Sequence, residues 1–461
     1  MSTITKQNRR GFLKLGLGAA ATGAVAPWVW TPRISKAGLG IPASRHNHLI
    51  VINLDGGARS VPMFNGAVDP RWNPYGTQVG APGTEWGVGG VFDAAPYTDT
   101  QALFGVAMPS LPMISNEICV LGTVDHTPGA AAGVGAHGTA RNIISSGYEE
   151  GRESWVSRIY ELHDNYNQGT AGLVFPPVVI GTGNATTPFG IPSGSITPVM
   201  VPSFSEFAEQ SGDDGGGQPE WARAFEAGLD GTTSARRSAR DRQLIQRMSN
   251  GKQNVEAFRQ VFLDPSLRVA TEPTAGEQLT NAELAAIFGT EMLGRNMALA
   301  LRFIQHGSAA VMVGDNGWDT HSAETAAYSA SANGIARMFA GLNFALKRMT
   351  HPEGGTYWDH TLIMVTSEFG RDNLMSGGFN SGGGSDHTGG PGSRYQALPF
   401  SGGLVAEQGG RMFGLTDPNT MEPMKGEPIF GTVEKLAMAL AVLGVPTEEV
   451  WPSVTPLNAI F

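Results

Sequence analysis

Residues 309–321, "AAVMVGDNGWDTH", join a short apolar run to a polar segment, and a long helical pattern follows over 322–349. A run that is apolar nearly throughout is typical of a strand covered on both faces. The next such run is "TLIMVTS", 361–367. A strand, a helix and a strand in this order predict parallel pairing, because the helix returns the chain to the same end of the sheet.

Three further runs have the same character, namely "HLIVINL" (48–54), "ICVLGTV" (118–124) and "PPVVIG" (176–181). A second helical pattern covers 280–306, where Thr280 and Glu283 fit a capping box. Helices that alternate with buried strands predict an α/β fold of three layers, α/β/α, with a mainly parallel central sheet.

Two regions depart from this alternation. Residues 203–275 contain the acidic, glycine-rich "QSGDDGGGQPE" and the arginine-rich "ARRSARDRQLIQRM", and we interpret them as a helical insertion. Residues 376–393 are too rich in glycine for a helix or a strand and predict a loop. The chain is therefore expected to form one α/β domain over 46–461 with a helical insertion at about 203–275.

Composition favours a small-molecule ligand. The 461 residues carry 31 basic and 41 acidic side chains, a formal charge of -10. This charge argues against a nucleic acid or an anionic membrane surface as the main partner.

Residues 1–37 resemble a twin-arginine export signal, with Arg9 and Arg10, then Phe12 and Leu13, a Gly/Ala-rich run, and the small-x-small site 35–37. The apolar run is shorter than the roughly 18–20 residues of a membrane span. We therefore expect the export machinery as a partner, removal of the segment, and a periplasmic or extracellular protein that is not integral to the membrane once processed.

Polar residues follow the predicted strands in a specific way. In an open α/β sheet, ligands collect beyond the carboxyl ends of the strands. The residues at these ends, with two from the glycine loop, are Asp55, Asp319, His321, Glu368, Asp386 and His387. Carboxylates and imidazoles bind divalent metals, so the pattern predicts a site for one or two ions, whether zinc, manganese, calcium or magnesium. Taken singly, Asp55 and Asp386 are more typical of glycine-rich turns than of metal ligands.

The motifs "NLDGG", "GWDTH", "VTSEFGR" and "SDHTGG", in this order, resemble the alkaline phosphatase and sulfatase superfamily, and within it a bacterial exported family classed as a domain of unknown function, number 1501. The resemblance runs from about residue 46 to the C-terminus. It implies an alkaline phosphatase-like domain in which Asp55 and Glu368 help to hold one metal, and Asp319, His321 and His387 hold another.

The sequence departs from the superfamily at two positions. Active members typically have Asp followed by His where this chain has Glu368 and Phe369, so one metal ligand is missing. Their nucleophile, a Ser, Thr or modified Cys, begins the helix after the second strand. Here that position is His137, although Arg141 and Gly147 keep the spacing found in sulfatases.

Three alternatives remain for the nucleophile. Thr139 takes the role after a register shift, His137 is a metal ligand or itself attacks, or a water activated by the metal does so. We favour His137 as a ligand or general acid/base with water as the nucleophile. Arg141 and Arg371 are predicted to clamp an anionic group or to form internal salt bridges.

The sequence therefore predicts an exported, metal-dependent hydrolase-like protein acting on a small phosphate or sulfate ester. The alternative is a non-catalytic metal- or ligand-binding protein of the same fold that has lost its nucleophile. A carbohydrate site without metal is a third interpretation, in which Trp318 would serve as a stacking platform.

Overall fold

The apolar runs of the sequence form the centre of one mixed sheet. A computed structural model describes residues 46–126, 136–163, 177–193, 197–202, 278–321, 324–371, 394–454 and 456–457. The strands are β1 (His48–Leu54), β2 (Thr77–Gln78), β3 (Val88–Gly89), β4 (Ile118–Asp125), β5 (Val178–Ile180), β6 (Val199–Val201), β7 (Ala310–Asp315), β8 (Thr361–Ser367), β9 (Tyr395–Ser401), β10 (Met412–Phe413) and β11 (Phe430–Gly431). Residues 1–37, the insertion at 203–275 and the glycine loop with Asp386 and His387 lie outside the described residues.

The strand order in the main sheet is β10-β4-β9-β8-β1-β7-β5-β6, with β11 also paired to β4, while β2 and β3 pair separately. β9 runs antiparallel to β4 and β8. The other pairs of the main sheet are parallel. β1 lies between β7 and β8, and all seven of its residues are buried, as expected for a strand covered on both faces.

Helices flank this sheet in two groups. The described helices are α1 (Val61–Phe64), α2 (Gln101–Phe104), α3 (His137–Ser146), α4 (Trp155–Leu162), α5 (Asn281–Phe288), α6 (Met292–Gln305), α7 (Glu324–Leu346) and α8 (Thr432–Val442). α5, α6 and α7 pack on one another and α6 contacts β7, whereas α8 contacts α3 and β1. The prediction of an α/β/α fold with a mainly parallel sheet is confirmed. None of the helices in the described ranges is both long and apolar enough to cross a bilayer.

The helical stripe expected over 280–306 divides into α5 and α6. Thr280 and Glu283 form the predicted capping box at the start of α5. Gly289 then ends that helix with a φ of 84°, a conformation that glycine adopts without strain. The break lets α5 turn before α6 continues towards β7.

Candidate functional site

The segment after β1 is shaped by two glycines. Gly56 and Gly57 have φ values of 83° and 80°. A Cβ atom at Gly56 would lie 2.4 Å from Cβ of Asp319, and one at Gly57 would lie 2.3 Å from the ring of Phe369. The two glycines therefore allow the segments after β7 and β8 to approach the end of β1.

Strand register brings the carboxylates together. Leu54 of β1 is paired with Ser367 of β8, so that Asp55 and Glu368 leave adjacent parallel strands at the same edge. The backbone N–H of Gly56 donates to Oε1 of Glu368 at 3.0 Å. Glu368 is almost completely buried, and only a strongly hydrogen-bonded carboxylate is stable in such a place.

α3 supplies the partners of Glu368. This helix begins at His137, as the resemblance implied, and Arg141 follows one turn later on the same face. Nδ1 of His137 lies 2.6 Å from Oε2 of Glu368, and Nε of Arg141 donates to Oε1 at 2.8 Å. A second guanidinium nitrogen of Arg141 donates to Oδ1 of Asp55 at 3.4 Å. Arg141 therefore joins the two carboxylates.

The surroundings shift the pKa values of Asp55 and Glu368 in opposite directions. Burial raises the pKa of Asp55, and the hydrogen bond with Glu368 and its negative charge raise it further. Burial would also raise the pKa of Glu368, but hydrogen bonds from Asp55, His137 and the Gly56 N–H outweigh it and lower this pKa. These opposite shifts favour the negative charge on Glu368 over Asp55.

Three potential metal ligands converge at the same edge. Nε2 of His137 lies 3.3 Å from Oδ2 of Asp319, and Nε2 of His321 lies 3.0 Å from Oδ1 of Asp319. One ligand atom from each of the three residues lies within 4.8 Å of the others. The three side chains are partly exposed, so a ligand can reach them from solvent. Two imidazoles and a carboxylate suit zinc and similar divalent ions.

Arg371 fixes the position of Asp319 from inside the protein. Its buried guanidinium donates to Oδ1 of Asp319 and to the backbone oxygens of Gly56 and Gly57. Burial by itself would raise the pKa of Asp319, but the hydrogen bond and charge of Arg371, with His137 and His321, lower it. Asp319 is therefore ionised and available to a cation.

Two other positions matter to the predicted chemistry. Thr139 is half-buried two residues after His137, and residues at this spacing do not share a helix face. Phe369 is fully buried, with its ring centroid 5.0 Å from that of His137. The phenyl ring thus packs against the imidazole at the position where the resemblance implied a metal ligand in place of Phe369.

Sequence reasoning missed a buried ion pair behind the site. Arg59 donates to both carboxylate oxygens of Glu324, at 3.1 Å and 2.6 Å. Tyr328, one turn further along α7, donates to the backbone oxygen of Arg59. The only signal in the sequence was the acidic residue at the start of the helix after "GWDTH".

Trp318 does not serve as a stacking platform. It is 3% exposed, and its Nε1 donates to Oδ2 of Asp315 at 2.8 Å. Burial raises the pKa of Asp315 to about 6 although this hydrogen bond lowers it. A sugar ring therefore finds no aromatic face at Trp318.

Asp55, Asp319, His321 and Glu368 thus lie together with His137, Arg141 and Arg371. The roles predicted for these residues stay predictions. Asp386 and His387 lie outside the described residues, so their roles also stay predictions.

Solved structures with similar folds have low identity and low TM-scores. The chain is similar to a protein in the alkaline phosphatase superfamily from Vibrio parahaemolyticus, at 8% identity and a TM-score of 0.33, covering 95% of this chain and 76% of that one. It is similar to the lipoteichoic acid synthase LtaP from Listeria monocytogenes at 9% identity and a TM-score of 0.33, covering 92% and 79%. The phosphonate monoester hydrolase of Agrobacterium radiobacter gives 12% identity and a TM-score of 0.30, covering 87% and 74%.

No curated protein sequence matches the chain. A sequence model of a protein family does, over residues 46–426, which is most of the chain. The predicted family is therefore confirmed, and the chain belongs to the family described as "Protein of unknown function (DUF1501)".

Proposed function

We propose that this chain is an exported, metal-dependent hydrolase-like protein that acts on a phosphate or sulfate ester. The observation that carries the proposal is the convergence of His137, Asp319 and His321 at the carboxyl edge of the sheet. Grouped ligands of these types bind zinc and similar divalent ions, and the partial exposure of the group gives a substrate access to it.

The hydrogen bond between His137 and Glu368 supports this interpretation. A carboxylate only accepts, so Nδ1 of His137 carries the proton in its bond to Glu368. In a neutral imidazole, Nε2 then presents a lone pair to the ionised Asp319, 3.3 Å away. Two acceptors facing each other require a cation, either a second proton on the ring or a metal ion.

A divalent ion held there would lower the pKa of a bound water and supply the nucleophile that is missing at position 137. The protein's own residues hold the potential ligands in position. Glu368 holds the ring of His137, and Arg371 holds Asp319. Thr139 lies on another face of α3, which favours water over this hydroxyl as the nucleophile.

Elemental analysis of the purified, metal-reconstituted protein tests the proposal. Wild type should retain divalent metal, and Asp319→Ala and His321→Ala should lose it while their circular dichroism stays native. His46→Ala is the matched control, since His46 is similarly exposed and lies before the opposite end of β1. Absence of metal from the reconstituted wild type would refute the proposal. Turnover of p-nitrophenyl phosphate or sulfate, lost with the metal, would then establish the hydrolase.

A second function is favoured by the hydrogen bonds that the two arginines of the site make with its carboxylates. Arg141 and Arg371 both donate to carboxylates of the site, and position 137 carries neither a hydroxyl nor a thiol. This arrangement fits a metal-binding protein without catalysis. Metal that depends on Asp319 and His321, with no turnover on either ester, would favour this second function.

A further inference from the structure

The resemblance to phosphatases and sulfatases implied a metal between Asp55 and Glu368, and the structure places a guanidinium there. Arg141 donates Nε to Glu368 at 2.8 Å and a terminal nitrogen to Asp55 at 3.4 Å. A guanidinium keeps its charge at every physiological pH and contacts two carboxylates at fixed geometry. Arg141 therefore supplies a permanent positive charge where a metal ion was expected.

Hydrogen bonds already occupy most of the acceptor sites of Glu368. A carboxylate has about four acceptor sites on its two oxygens. Oε1 accepts from Gly56 and Arg141, and Oε2 from His137. The positive charge of Arg141, in contact with both Glu368 and Asp55, further disfavours a second cation between these two side chains. Within the described ranges, the group of three ligating side chains contains neither Asp55 nor Glu368.

We propose that the site binds a single divalent ion, and that Arg141 takes the place of a second one. This inference rests on the proposed function, because it presupposes the ion at His137, Asp319 and His321. Glu368 is then a positioning residue that acts through His137 and not a metal ligand. Asp55 belongs to the arginine-bound pair and makes no contact with the ion.

The number of ions per chain tests the inference without reference to activity. Zinc is titrated calorimetrically into chelator-treated wild type, Arg141→Met, Arg141→Lys and Asp55→Asn, with native circular dichroism required of each. We expect one ion in wild type, one in Arg141→Lys, which keeps a cation, and a second, weaker ion in Arg141→Met. Asp55→Asn should still bind one ion.

Each other result has a definite meaning. Two ions in wild type, with one lost in Asp55→Asn, would overturn the inference and leave the proposed function standing. One ion in Arg141→Met would overturn the replacement of a metal by Arg141. No ion in wild type would refute the proposed function and the inference together. If Arg141→Met does not fold, the counts in wild type and Asp55→Asn still decide whether the site binds one ion or two.

Discussion

Oε2 of Glu368 lies 2.6 Å from Nδ1 of His137, which joins a fully buried carboxylate to an imidazole that is one-quarter exposed. A carboxylate bonded to the far nitrogen of a metal-binding histidine fixes the tautomer and raises the basicity of the ligand. The buried end of this pair is fixed by Arg141 and the backbone of Gly56. Glu368 thus determines which nitrogen of His137 faces Asp319.

Glu368→Gln should weaken metal binding without changing the number of ions. The amide still accepts from His137 but no longer offers a charge, so the affinity should fall by about 10- to 100-fold. Thermal stability should also fall, because Arg141 loses its buried partner. Competition with a chromophoric chelator measures the affinity. Glu283→Gln, in the capping box of α5, is the control and should bind metal normally. Loss of the ion altogether would mean that Glu368 is itself a ligand.

Gly56→Ala should weaken metal binding and lower the stability of the protein. Gly76→Ala provides a matched control. Both glycines have positive φ, 83° and 69°. An alanine in this conformation is destabilised by about 1–2 kcal/mol. A Cβ atom at Gly56 also meets Asp319 at 2.4 Å, whereas one at Gly76 meets nothing within 4 Å. Urea unfolding should show a larger loss for Gly56→Ala, and only this variant should bind metal more weakly. Equal affinity in the two variants would show that the turn does not position Asp319.

The central strands could be predicted almost to the residue. β1 and β8 occupy the predicted runs 48–54 and 361–367, because strands buried on both faces are apolar throughout. β9 was missed, since Gln396 and Pro399 interrupt its apolar pattern although the whole strand is buried. Its antiparallel direction depends on pairing with β4 and β8, which the local sequence does not record.

The residues of the site could be predicted from the ends of the strands, but their hydrogen-bond and ion-pair partners could not. Parallel strands end at one edge of a sheet, so Asp55 and Glu368 could be predicted to lie close together. Whether Arg141 binds a substrate anion or these two carboxylates depends on where α3 lies against β8. The pairing of Arg59 with Glu324, 265 positions apart, likewise depends on packing alone.

The Arg59–Glu324 pair should show strong coupling. Both side chains are 2% exposed or less and meet through two hydrogen bonds. Arg59→Met or Glu324→Leu alone leaves one buried charge without its partner, which is destabilising by about 3–5 kcal/mol. The double variant should lose much less than the sum. A double-mutant cycle in urea measures this coupling. Additive losses of stability would mean that each charge is stabilised by groups other than its partner in the pair.

Acid should destabilise the folded protein through two buried histidines, His48 at the start of β1 and the neighbouring His351. His48 donates Nδ1–H to the Ser308 oxygen at 3.1 Å, and its Nε2 lies 3.1 Å from Nε2 of His351. Burial, then the charge of His351, lowers the pKa of His48 to about 3. Burial, then the charge of His360, lowers the pKa of His351 to about 4. Both rings are therefore neutral in the folded protein at neutral pH.

The sign of the pH dependence follows from these directions. Unfolded histidines titrate near 6.5, so below that pH the unfolded chain binds more protons than the folded one, and the free energy of unfolding falls as the pH falls. Near pH 5, where unfolded histidines are largely protonated and folded His48 and His351 are largely neutral, each should contribute a slope of about 1.4 kcal/mol per pH unit. In urea unfolding of metal-free protein, His351→Gln should remove about one such slope. An unchanged slope in His351→Gln would place the acid sensitivity elsewhere in the protein.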